Sequence, residues 1–318
     1  MLWFMFIIMV SLITLVWSAD LFVAGASAVA TWAGLTPMLI GLTIVSLGTS
    51  APEILISIMS ALTDTGELAV GNALGSNIAN IGLVLGVTLM IKPISVGRPT
   101  TLVDIPLLII AVLVTAALLS DKNLSTSDSL ILVLGMLLFF LRIARHNELK
   151  NSNNEKDETQ NASLRWAIVS FLGGLILLLC SSRLLVWAAS NLARAFGVSE
   201  LIIGLTIVAI GTSLPELAAS VMSAVKGHAD MAIGAIIGSN MFNILLVLAI
   251  PGFWGDLPLS EEVLYRDLLM VFLTTTALAL SALGGWNTSL NRSTLGKFSG
   301  MLFLFLYGAY YTWLFFVN

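Results

Sequence analysis

Charge is scarce in this chain of 318 residues: only 10% is Asp, Glu, Lys or Arg, against 58% hydrophobic. At a mean hydropathy of +1.00, no soluble domain could hide so much apolar surface. There is one cysteine, Cys180, so neither a disulfide nor a thiolate metal centre can form within the chain. It lies in an apolar run and is expected to be a small core residue. The two histidines, His146 and His228, fall in expected loops, and no HExxH or nucleophile–base spacing occurs, which argues against an intramembrane enzyme. No basic residue precedes Lys92, so the N-terminus lacks the charged region of a secretory leader and its first apolar run is expected to stay. The net charge of −4 gives no reason to expect a nucleic acid partner. No cofactor is expected either.

What the chain does have is long apolar runs. They are continuous rather than alternating, which predicts helices in lipid and not a barrel. Turn and charge signals divide them into ten expected spans, 3–30, 36–62, 68–90, 102–119, 127–144, 165–193, 199–224, 230–250, 265–283 and 295–317. The only strongly polar stretch, 145–163, is expected to be a solvated linker between halves at 1–144 and 164–318. On this division ten basic residues (Lys92, Arg98, Arg142, Arg145, Lys150, Lys156, Arg165, Lys226, Arg292 and Lys297) lie on the linker's face. Four (Lys122, Arg183, Arg194 and Arg266) lie on the other. Positive residues stay inside, so the expectation is a multi-pass inner-membrane protein with a cytoplasmic linker and both termini outside. Five spans per half is an odd number, which turns the second half upside down and makes the repeat inverted.

The halves share more than length. Residues 41–81 align without a gap to residues 204–244 at a constant offset of 163, and 21 of 41 positions are identical. Each copy sets a glutamate, Glu53 or Glu216, deep in an apolar run, where a carboxylate persists only against a cavity, a partner or an ion. Thr49 and Ser50 lie four and three residues before Glu53, on its helix face, and Ser76 and Asn80 repeat the spacing of four one span later. The second copy repeats both patterns with Thr212, Ser213 and Glu216, then Ser239 and Asn243. Pro52 and Pro215 have no N–H to offer, so the carbonyls of Gly48 and Gly211 are expected to be free and spans 2 and 7 broken. Carboxylate, hydroxyl, amide and carbonyl oxygens are hard donors suited to calcium and poorly suited to zinc or copper.

Other repeated features have plainer expectations. The small-residue pairs Gly71–Gly75 and Gly234–Gly238 are expected to let helices pack closely. Asp104 and Asp267, also 163 apart, are expected to cap or anchor spans 4 and 9. Asp20 and Arg183 match by the same offset, but inverted symmetry puts equivalent residues at opposite depths, so they are not expected to pair.

With GTSAPE then GSNIAN in the first copy, and GTSLPE then GSNMFN in the second, the whole chain resembles the calcium/cation antiporter superfamily. It looks most like prokaryotic sodium/calcium exchangers. The resemblance implies an all-α polytopic membrane protein with ten helices in two inverted five-helix repeats. It also implies cation sites between spans 2, 3, 7 and 8. Thr49, Ser50, Glu53, Ser76, Asn80, Thr212, Ser213, Glu216, Ser239 and Asn243 would line them, joined by the backbone carbonyls of Ser46 and Ala209. Calcium and sodium would be the transported ions, and spans 1 and 6 would slide to open one side at a time. Some relatives carry aspartate where this chain has Asn243, which argues against a potassium requirement. The short linker implies no calcium-sensing domain. A cation/proton antiporter is the nearest alternative, because a carboxyl in an apolar surround can carry a proton. A channel would need no paired hinges. The sequence sets no oligomeric state.

Overall fold

The computed structural model describes residues 1–63, 65–151, 163–198, 203, 206–207 and 209–316, with residues 146–151, 209, 315 and 316 as backbone alone. A chain this apolar satisfies its backbone hydrogen bonds locally in lipid, and helices dominate accordingly. In chain order they are α1 (Leu2–Trp32), α2 (Pro37–Thr49 and Ala51–Leu62, bent by 46°), α3 (Gly66–Ile91) and α4 (Thr100–Asp121). After α5 (Thr126–Asn151) comes α6 (Leu164–Ala195), and α7 has two pieces, Ala209–Thr212 and Leu214–Val225. The chain ends with α8 (Ala229–Trp254), α9 (Val263–Gly284) and α10 (Lys297–Phe316). Among the described residues seven helices are long and apolar enough to cross a membrane, and the bent α2 makes eight. The protein is therefore a multi-pass membrane protein. The expected linker is partly helical, because α5 runs on to Asn151; its residues 152–162 lie outside the described residues, as does most of 199–208 at the start of expected span 7.

Helix α1 lies antiparallel on α6. Phe4 meets Trp187 with ring centroids 5.7 Å apart, and at the other end Phe22 stacks on Phe171 at 5.2 Å. The backbones nearly touch: a Cβ at Gly25 would fall 2.3 Å from the Phe171 nitrogen, and one at Gly174 2.5 Å from the Phe22 nitrogen. This pair has its own buried apolar cluster with parts of α2, α7 and α8, distinct from the larger core built around α3, α4, α8, α9 and α10. Cys180 corrects the expectation: it is exposed on α6, whose inward face is taken by Leu178, Ser181, Ser182 and Leu185.

Two small sheets correct the purely helical expectation. Ile94–Gly97, before α4, pairs antiparallel with Arg292–Leu295, which also pairs with Trp286–Asn287. Asn123–Leu124, after α4, pairs with Leu257–Pro258. The sheets thus sit at opposite ends of α4, and each joins strands from both halves. The 163 offset carries Ile94 onto Leu257 and Asn123 onto Trp286, from one end to the other. Wide π-type turns obey the offset as well: 80–85 matches 243–247, and 100–104 matches the start of 263–268.

Neither expected aspartate cap is one. Asp104 is buried inside α4 with no capping bond and pairs with Arg142 Nη1 at 2.6 Å. Asp267 takes Arg266 Nε at 2.7 Å and the Tyr310 hydroxyl at 3.0 Å. The wide turns carry both carboxylates past the helix ends into the bundle. Replacing Asp104 by Asn leaves Arg142 without its counter-ion, and we expect a loss of about 1–3 kcal/mol, read as a lowered thermal unfolding midpoint in detergent. Asp20 pairs with Lys226 at 2.7 Å and not with Arg183, as inverted symmetry leads one to expect.

Candidate functional site

The bend in α2 falls at Ser50. Pro52 supplies no N–H, the helix restarts at Ala51, and Glu53 occupies its first turn, where the carboxylate faces free amides and the positive end of the helix dipole. Helix α7 repeats the break at Ser213, with Pro215 and Glu216 in the same places. Both glutamates are buried, at 1% and 5% exposure, and close enough that each carboxylate feels the other's charge. Ser76 of the same half stands beside Glu53. Thr49 of the other half stands beside Glu216.

The structure buries most of the expected residues. Thr49, Ser50, Ser76, Asn80, Ser213, Ser239 and Asn243 are buried, and Thr212 is half-buried beside them. Ala209 opens the short helix before the α7 break. Asn80 and Asn243 each begin a π-type turn, which widens the helix where the side chain is presented. Five buried oxygens of the cluster have no hydrogen-bond partner: Ser50 Oγ, Glu53 Oε2, Glu216 Oε2, Ser239 Oγ and Asn243 Oδ1. Buried polar atoms are rarely left so, and each unmatched one costs about 1–3 kcal/mol. Carboxylate, hydroxyl and amide oxygens left without partners are donors that suit a hard cation, whose charge the two carboxylates would balance.

Two expected carbonyl acceptors are already engaged. Ser46 O takes the Ser50 amide at 2.9 Å and the Thr49 hydroxyl at 3.3 Å. Gly211 O, freed by Pro215, receives the Ser182 hydroxyl at 3.1 Å and so ties α6 to the break in α7. Ala19 holds the matching place on α1 and has no hydroxyl to give.

Sequence reasoning passed over Asn77 and Asn240. The Asn80 amide donates to Asn240 Oδ1 at 3.1 Å across the two halves, and Asn77 donates to Ala73 O at 2.8 Å. Both stand in the repeated GSN triplet, which was the signal. Ser57, donating to Val247 O at 2.7 Å, also recurs at the offset as Ser220.

Two cavities reach the cluster from one end. One of about 280 Å³ is lined by Gly71, Asn72, Gly75, Ser76, Thr212, Ser213 and Tyr310. A second, about 350 Å³, runs between α2, α6 and α7 past Pro52, Ser182 and Gly211 to the same Thr212. Both lie toward the Asn123–Leu124 sheet. At the linker end a third cavity, about 190 Å³, is lined by Met38, Leu42, Asp104, Arg142 and Arg292, and beside it α8 packs closely on α2. A Cβ at Gly238 would fall 2.5 Å from Ser46 Oγ and 2.6 Å from Leu42 O, and one at Gly234 2.7 Å from Met38 O. Gly234 and Gly238 therefore pack as expected. Gly71 and Gly75 do not: no described atom lies within 4 Å of their Cβ positions, and they floor the first cavity instead.

The model of the family described as sodium/calcium exchanger protein matches residues 3–144 and 166–316. The chain belongs to the sodium/calcium exchanger family. Over 282 residues it is 43% identical to the putative antiporter CaxA of Alkalimonas amylolytica, covering 87% of this chain and 88% of that relative. It is 26% identical to the sodium/calcium exchanger MaX1 of Methanosarcina acetivorans, covering 98% of each. Among solved structures the sodium-calcium exchanger NCX_Mj soaked with zero Na⁺ and Ca²⁺ superposes with a TM-score of 0.81, at 29% identity over 98% of each chain. These relatives are transporters and not enzymes, and this family member is accordingly a cation/calcium antiporter.

Proposed function

We propose that this family member exchanges sodium for calcium by alternating access at the paired site of Glu53 and Glu216. The five unmatched buried oxygens drawn from both copies of the repeat carry the reading. With Thr49, Ser76, Asn80, Thr212, Ser213 and the backbone near Ser46 and Ala209 they form a cage of hard donors. Two carboxylates balance one Ca²⁺ or accept several Na⁺ at overlapping positions, but not both loads together. Two cavities that reach Thr212 from the same end support a site that faces one side at a time. The separate apolar cluster of α1 and α6 supports these two as the sliding element.

The topology we propose has ten spans in two inverted repeats, 1–144 and 164–318, joined by a cytoplasmic linker at 145–163. The transfer of strands from one end to the other under the 163 offset supports the inversion. The ten-to-four division of basic residues supports termini outside, so the open cavities face outward.

Calcium uptake into proteoliposomes loaded with sodium, set against choline- or potassium-loaded controls, tests the exchange. Uptake that needs internal sodium supports it. Uptake that follows a pH gradient and ignores sodium replaces it with proton coupling. If three Na⁺ move per Ca²⁺, one net charge crosses per cycle, and 100 mV biases it by about 2.3 kcal/mol. We therefore expect an inside-negative potential to slow sodium-driven calcium uptake. A flux indifferent to potential at saturating ions rules that ratio out.

A further inference from the structure

The first cavity contains an amide side chain that the exchange site does not use. Asn72 stands one turn before Ser76 and two turns before Asn80, so the three form a ladder along one face of α3. Its lower rungs recur in the second half as Ser239 and Asn243, but the counterpart of Asn72 is Ala235. Ala235 is buried at 5% exposure, against the turn at Gly41. The extra rung thus exists only on the helix that now borders an open cavity.

The carboxamide of Asn72 is unengaged: its Nδ2 is buried and has no hydrogen-bond partner. Among the described residues its Oδ1 receives no hydrogen bond and is available as an acceptor. Tyr310 lines the same space. Its hydroxyl spends its only proton on Asp267, which Arg266 holds in turn, so its oxygen is left as an acceptor. Ser76, Ser213 and Thr212 lie deeper in the cavity, beside the glutamates. A cation losing its water needs replacement oxygens in sequence and not all at once.

We propose that Asn72, with Tyr310 lining the same cavity, is an outer cation subsite that takes partly hydrated Ca²⁺ from the cavity and passes it to Ser76 and Glu53. The assignment rests on the exchange reading above and adds a side-specific element to a site otherwise duplicated. Calcium flux at varied Ca²⁺ in right-side-out and inside-out vesicles tests it, driven in turn by sodium and by a pH gradient. Asn72→Ala is expected to raise the half-saturating Ca²⁺ at least five-fold at the cavity face and to leave the other face and the maximal rate unchanged. Asn72→Asp, which keeps an oxygen and adds charge, should match or better the unaltered protein at that face. Equal rises at both faces, no rise at either, or an Asp variant as poor as the Ala variant with an unchanged melting temperature would overturn the assignment. Flux that follows only the pH gradient removes the sodium reading while the two faces are still compared. No calcium flux under either gradient overturns both.

Discussion

Glu53→Gln and Glu216→Gln should each cut sodium-driven calcium uptake at least 100-fold while the protein still folds. Glutamine keeps the shape of the side chain and removes one negative charge from a site where water cannot compensate. Two unit charges 4 Å apart in an effective dielectric of about 20 interact by about 4 kcal/mol, nearly three decades in binding. Each carboxylate has a buried oxygen without a partner, so the substitution also puts an amide donor where a cation would need an acceptor. Neither variant should lose stability, because removing one of two neighbouring like charges relieves repulsion in the ion-free state. Uptake and thermal unfolding measured on the same preparations decide the matter. A variant that melts as usual and retains more than a tenth of the flux would show that its glutamate is not a ligand.

Gly238→Ala should disable the protein, whereas Gly75→Ala, the same change at the equivalent repeat position, should not. At Gly238 the new methyl would meet a hydroxyl at 2.5 Å and a backbone carbonyl at 2.6 Å, and a carbonyl on a packed helix has nowhere to retreat. Such overpacking costs about 1–3 kcal/mol and pushes α2 off α8 beside the ion cluster. At Gly75 the methyl projects into the cavity. We expect Gly238→Ala to lower the unfolding midpoint by several degrees and lose most of the flux. Gly75→Ala should keep its midpoint and its folded yield. Equal loss in the two would mean that the halves differ less than the packing indicates.

The repeat made the centre of this molecule legible before any coordinates. Two glutamates in apolar runs, each after a proline and each followed by Ser and Asn one span later, fall into one buried cluster. What stayed hidden was geometry that spacing does not encode. A π-type turn adds one residue to a helical turn and rotates everything beyond it, which carried Asp104 and Asp267 from expected caps to buried ion pairs. Gly71–Gly75 and Gly234–Gly238 read identically on paper, yet one pair packs and the other faces open space. A duplicated sequence is symmetric, and a single conformation of it is not. The Ser182 bond to Gly211 shows the same limit from another side: Pro215 frees a carbonyl, but no rule of spacing says which neighbour takes it. Cys180 failed for a simpler reason, since small apolar residues suit lipid as well as a core.

Helices α1 and α6 run to 31 and 32 residues, or about 46–48 Å at 1.5 Å per residue, against a hydrocarbon layer of about 30 Å. Exposed apolar side chains run from Leu2 to Trp17 on α1, with Trp32 at its end, and from Trp166 to Trp187 on α6, interrupted by Arg183. A helix matched to the bilayer could not shift along its axis without drawing polar ends into the oil or pushing apolar turns into water. A helix half again too long has slack: one turn of travel, about 5 Å, swaps one apolar ring at the boundary for another. If this pair slides as proposed, its surplus length lowers the mismatch cost of the movement, and the ions are left to decide its direction.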